Sequence, residues 1–184
     1  DEISTPGISL STINGDEAPD ISVEMGNAVS IPFKGSPVSN LFLSAITDGK
    51  AIRIAIPDNW RSETPLILDV KPTGGLDAVH IHVETGKFSE ATILTRVEGS
   101  SEWLGILRTG HTGVGSLLQD VFVNNAHDGK LMRVDAIRLG RDSSVTAGTV
   151  SAGSTWTKAD IRYLLDAPGS NLNVLGSLLS AGQM

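Results

Sequence analysis

The sequence predicts an all-β protein, built as an antiparallel β-sandwich with a short helical appendage at its C-terminal end. Three observations carry this expectation. The stretch Val79-His80-Ile81-His82-Val83-Glu84 alternates strictly between apolar and polar residues, and side chains in a strand point to opposite faces with period 2. About ten apolar runs of strand length follow one another at short spacing, with turn residues between them. Glycine is abundant at 20 residues, which suits many short strands joined by tight turns.

Composition narrows the function classes. A chain of 184 residues fits one domain with a small appendage. The hydrophobic fraction of 40% and the charged fraction of 19% are those of a chain that buries a core. The formal charge is −7 and the 14 basic residues are scattered. A nucleic-acid groove needs clustered Lys and Arg to neutralise phosphate, so nucleic acid is not an expected partner. Cysteine is absent, which removes a thiol nucleophile, a thiolate metal site and any disulfide framework. No apolar run approaches the ~20 residues of a membrane helix. The first residue is Asp1 rather than Met, which reads as a processed product or an excerpt.

Residues 1–20 read as an extended arm broken by Pro6, Gly7, Gly15 and Pro19, with a short strand over Ile8 to Ile13. The arm either hangs free or docks on a sheet edge. Residues 21–142 form the predicted sandwich. Ile21 to Met25 and Val29 to Phe33 flank Gly26-Asn27, and Leu41 to Thr47 and Ala51 to Ile56 flank Asp48-Gly49. Such dipeptides between apolar runs are strong hairpin signals. Pro57 to Ser62 is a loop. Strands follow at Leu66 to Val70, Val79 to Glu84, Ala91 to Val97, Glu102 to Leu107, Leu117 to Val123 and Leu131 to Leu139, the last preceded by Asp128-Gly129. In that last strand Met132, Val134 and Ala136 share one face, while Ile137 and Leu139 change parity. A bulge near Asp135 or Ala136 would reconcile the two.

Residues 143–184 read as a small-residue linker, or a last strand, and then helix. Thr157-Lys158-Ala159-Asp160 has capping-box spacing, and Ile161, Leu164 and Leu165 follow at helical intervals. Leu172, Leu175, Leu178 and Leu179 suggest a second short helix. Their apolar faces need cover, from the sandwich or from another subunit.

Two constellations could carry chemistry. His80, His82 and Glu84 lie on one strand face, a pattern found in zinc sites, which need three or four ligands. His111 or His127 could add one from a loop. A solvated polar sheet face explains the same residues and is the favoured reading. Trp60 beside Arg61, and Trp103 with Arg108 and His111 downstream, are candidate ligand-binding residues, because an indole offers a flat apolar face for stacking on a sugar. The acidic cluster Asp16, Glu17 and Asp20, and Asp128 and Asp142 with Asn124 and Asn125, supply the oxygen ligands calcium prefers, without EF-hand spacing. No cofactor is otherwise expected. No nucleophile elbow, zinc-protease motif, phosphate loop or dinucleotide fingerprint occurs, and the chain is expected not to be an enzyme.

Pro65 to Val70, and Asp135-x-Ile137-x-Leu139 within Gly129 to Gly140, resemble strands of galactose-binding-like jelly rolls. That resemblance implies a jelly-roll-like sandwich that binds carbohydrate or serves as structure. Ser154 to Ile161 is similar to short segments of phage tail and fibre proteins, which implies a subunit of a virion-surface assembly. The expected function is a non-catalytic structural or attachment subunit of an extracellular or virion-surface assembly, with protein subunits as partners. The alternative is a carbohydrate-binding module.

Overall fold

The computed structural model describes residues 2–18, 20–28, 38–62 and 64–179. They form strands β1 (Gly7–Thr12), β2 (Ser22–Asn27), β3 (Lys50–Ile56), β4 (Leu66–Lys71), β5 (Leu76–Thr85), β6 (Glu90–Gly99), β7 (Trp103–His111), β8 (Leu117–Ala126), β9 (Lys130–Arg138), β10 (Ser144–Ser151), β11 (Trp156–Leu164) and β12 (Asn171–Leu178), with helix α1 (Val38–Ile46) between β2 and β3. One six-stranded sheet has the order β1-β4-β6-β8-β10-β12, the other β11-β9-β7-β5-β3-β2. From β3 onward successive strands therefore alternate between sheets, and each pairs with the strand two further along.

From β3 to β12 every pairing is parallel. The chain is a β-solenoid of stacked coils: β3–β4, β5–β6, β7–β8, β9–β10 and β11–β12. Leu76 pairs with Trp103, and Trp103 with Lys130, so one coil takes 27 residues, the same separation that links the side chains of Asp69 and Arg96. Only β1 on β4 and β2 on β3 run antiparallel. The sheets are thus mixed, and the antiparallel jelly-roll sandwich expected from the sequence is not the fold. Alternation says that a segment is a strand with one buried face. It does not say which way the neighbouring strand runs.

The turn signals have correspondingly different uses. Asp48 and Gly49, both at positive φ (51° and 65°), end α1 rather than join two strands. The Leu41 to Thr47 segment is helical, not extended. Leu43 and Ile46, three apart on that helix, share a face and pack with Leu107, Val134, Trp103 and Met132 on the outer side of β7 and β9. Asp128-Gly129 turns the corner between β8 and β9, which lie in different sheets. The strand expected over Val29 to Phe33 lies outside the described residues. The helices expected after Thr157 are the edge strands β11 and β12. Their leucines also satisfy a strand pattern once the preceding coil offers its backbone edge as a template.

The corners after β5, β7, β9 and β11 repeat. Gly86-Lys87-Phe88-Ser89, Gly113-Val114-Gly115-Ser116, Gly140-Arg141-Asp142-Ser143 and Ala167-Pro168-Gly169-Ser170 are successive copies. In each, the Ser Oγ donates to the carbonyl three residues back, at 2.9, 2.9, 2.7 and 2.8 Å. Each third residue has positive φ: Phe88 56°, Gly115 66°, Asp142 54° and Gly169 72°. Thr85 Oγ1 donates to Ser116 Oγ at 3.1 Å, and Thr112 Oγ1 to Ser143 Oγ at 2.8 Å, tying one coil to the next. The coils approach so closely here that a Cβ on Gly140 would sit 2.2 Å from the Thr112 carbonyl oxygen.

The core lies between the two sheets. It holds Ile54, Leu68, Ile81, Ile93, Ile106, Phe122, Leu139 and Val145, each at most 1% exposed. At the N-terminal end it is covered by Ile8 and Leu10 of β1 and by Ala18 and Ile21. At the other end the last coil exposes Val174, Leu175, Leu178 and Leu179. β9 keeps an unbroken register with β7, so no bulge is present. Its parity changes because Arg133 and Asp135 face the interior together with Leu131 and Ile137.

Candidate functional site

The predicted polar face of β5 is buried rather than solvated: His80 and His82 are each 2% exposed. Parallel pairing sets Thr109 of β7 beside His82 and His111 beside Glu84. The Thr109 hydroxyl sits between the imidazoles, 2.7 Å from His80 Nε2 and 2.7 Å from His82 Nδ1. His82 Nε2 lies 2.9 Å from Glu84 Oε1, which also accepts from Arg53 at 3.1 Å. With both rings neutral the hydrogens run one way. His80 Nε2–H donates to Thr109, the Thr109 hydroxyl donates to His82 Nδ1, and His82 Nε2–H donates to Glu84. His80 Nδ1 has no hydrogen-bond partner among the described residues.

Burial, with the neighbouring His82, lowers the His80 pKa to about 4. Burial also lowers that of His82, against the opposing pull of Glu84. For Glu84, burial pushes upward, but the hydrogen bond from His82 and the nearby positive groups outweigh it and hold the carboxyl low. Glu84 is therefore held as a carboxylate beside His82 and Arg53.

His82, Glu84 and His111 bring three ligand atoms within 4.8 Å of one another. His82 and His111 border a cleft of about 590 Å³ lined also by Arg138, Asp166 and Pro168, in which Arg138 is paired with Asp166 at 2.7 Å. The metal-type trio is thus His82, Glu84 and His111, with His80 held one step behind through Thr109. This is the one group of three or more metal-ligating side chains gathered among the described residues, so the acidic clusters at Asp16–Asp20 and around Asp128 and Asp142 do not converge.

The other candidate residues are scattered. Trp60 is half-buried and packs on the core. Arg61 is exposed and pairs with Glu90 at 3.2 Å. Trp103 lies under Phe42 of α1, edge to face at 5.8 Å. Arg108 is inside the solenoid. It donates to Asp120 across the sheets and to Asp135 of the next coil at 3.2 Å. Arg133 grips Asp135 with two hydrogen bonds, and its guanidinium lies 3.8 Å over the Phe122 ring. Of the five residues proposed for ligand binding, only His111 borders the cleft. Sequence reasoning missed Thr109, Arg53 and the Asp120–Asp135–Arg133 network. The change of parity in β9 was the signal for the network. The Gly-x-x-Ser spacing was the signal for the coil that places His111 beside Glu84.

No family model matches the chain, and no curated protein or solved structure matches it. No helix among the described residues is long and apolar enough to cross a membrane.

Proposed function

We propose that this protein is a non-catalytic structural or attachment subunit of an extracellular or virion-surface assembly, docking on another protein subunit through its last coil. The observation that carries this reading is the apolar surface of that coil. Val174 is 54% and Leu178 is 76% exposed, and both share the strand parity of Leu172, which packs on the core. Each is therefore an interior residue of a stack with nothing laid on it among the described residues. β11 and β12 are also the outermost strands of their sheets, and an edge strand is a ready template for pairing. A stack whose coils touch only their neighbours is a stiff, quasi-one-dimensional element, a form suited to a spacer or attachment role.

Sedimentation of the purified chain tests the reading. The expected result is a particle of more than one copy that dissociates when Val174 and Leu178 are both replaced by Asp. A single-copy mass at every concentration, with the β12 amides already protected from exchange, would overturn it.

A further inference from the structure

We propose that His82, Glu84 and His111 bind a divalent transition-metal cation of the zinc class, and that the ion joins two successive coils. Two imidazoles and one carboxylate are a donor set that zinc accepts, with a fourth position left to water or to a ligand. Ligands at ~2.0–2.1 Å around a tetrahedral ion lie about 3.3 Å apart. The three donor atoms already fall within 4.8 Å of one another, and two of them, His82 Nε2 and Glu84 Oε1, are 2.9 Å apart. The His82 and His111 rings converge, with centroids 6.2 Å apart. A modest rotation of the exposed His111 ring closes the remaining distance without moving the backbone.

The support around the donors is also built. Metal-bound imidazoles are oriented by a hydrogen bond at the other ring nitrogen. Thr109 Oγ1 occupies that place on His82 Nδ1 at 2.7 Å. Arg53 steadies Glu84 in the same manner. With His82 Nε2 committed to an ion, its proton resides on Nδ1 and is donated to Thr109, whose hydroxyl turns to His80 Nε2. His80 then carries its hydrogen on Nδ1. The number of protons is unchanged and the direction of the chain is reversed. The open coordination position faces the cleft beside Arg138 and Asp166.

The contacts among Arg53, Glu84 and His82 make a complete hydrogen-bonded group without any ion. His111 is the member that such a group does not require, and it makes no side-chain hydrogen bond among the described residues. It is therefore the residue on which the proposal turns. Because it is exposed, its replacement leaves the fold intact.

The test uses the full chain, stripped with chelator and titrated with Co²⁺ and then Zn²⁺. The expected result is one ion per chain, with cobalt d–d absorption of a four- or five-coordinate site that zinc abolishes. His111→Ala should weaken binding at least about tenfold, and Thr109→Val, acting through the orientation of His82, by about 10–100-fold. The exposed His127 serves as control, and His127→Ala should change nothing. Binding below one ion per chain, or affinity unchanged in His111→Ala with its circular dichroism intact, would overturn the site.

Discussion

Arg108 and Arg133 stand out at the residue scale, because two guanidinium groups inside a β-solenoid need opposite charges beside them. Both are 3% exposed at the side chain, against Asp120 at 3% and Asp135 at 0%. Burial opposes charge on Arg108, but Asp120 and Asp135 more than offset it and raise its pKa. Burial likewise disfavours the Asp135 carboxylate, while Arg133 and Arg108 hold its pKa below the ordinary value. Removing one member leaves a charge buried alone, so Arg108→Met should cost about 3–5 kcal/mol in urea unfolding. Replacing Arg108, Arg133, Asp120 and Asp135 together by apolar residues should recover most of that loss. The pH dependence follows from the sign of the Asp135 shift. The folded state holds this carboxyl ionised more strongly than the unfolded chain does. The stability it contributes is therefore complete above the unfolded carboxylate pKa, near ~4, and is lost as pH falls further. Unfolding free energies measured between pH 6 and pH 3 should decline below pH ~4, and less steeply in Asp135→Asn, which starts from lower stability.

At the scale of elements, the Gly-x-x-Ser corner acts as the spacer of the stack. Each serine closes its own turn, and Ser116 and Ser143 also accept from the threonine of the coil before. Gly140→Ala should destabilise by about 1–3 kcal/mol, since the added methyl meets a backbone carbonyl that cannot swing aside. Ser116→Ala should cost about 1 kcal/mol through lost hydrogen bonds. Chemical denaturation of both variants checks this order. A smaller loss for Gly140→Ala than for Ser116→Ala would mean that the corners are not the tight contact described. These corners were present in the sequence as four-residue strings one coil apart, yet single strands and two-residue turns are too short a window to reveal them. Strand positions such as Val79 to Glu84 and Ala91 to Val97 were legible, because burial of one face imposes period 2 whatever the partner. Helix α1 was not. Its apolar residues suit either state, and the outer face of Leu107 and Val134 that it covers exists only once β7 and β9 lie side by side.

For the whole molecule, stability is a sum over neighbouring coils. The β5–β6 and β7–β8 coils are sandwiched on both sides, whereas β11–β12 has one neighbour. Amide exchange should therefore be fastest in β12 and slowest in β6 and β8. The same measurement on an assembled particle should show β12 newly protected. Protection of β12 equal to that of β8 in a single-copy preparation would contradict the exposed last coil.

Local chemistry alone decided that this chain is mainly strand, where most strands lie and which residues share a face. It also marked His82 and Glu84 as neighbours. Tertiary structure decided the rest: parallel stacking in place of antiparallel hairpins, helix for Val38–Ile46, strands in place of C-terminal helices, and burial of the His80 and His82 face. It also put His111 opposite Glu84 and Arg108 inside the core. The physical reason is that alternation is set by each residue's own access to water, which is local and indifferent to strand direction. Pairing partners are set by backbone hydrogen bonds to a segment a full coil away, and only the folded stack brings that segment alongside.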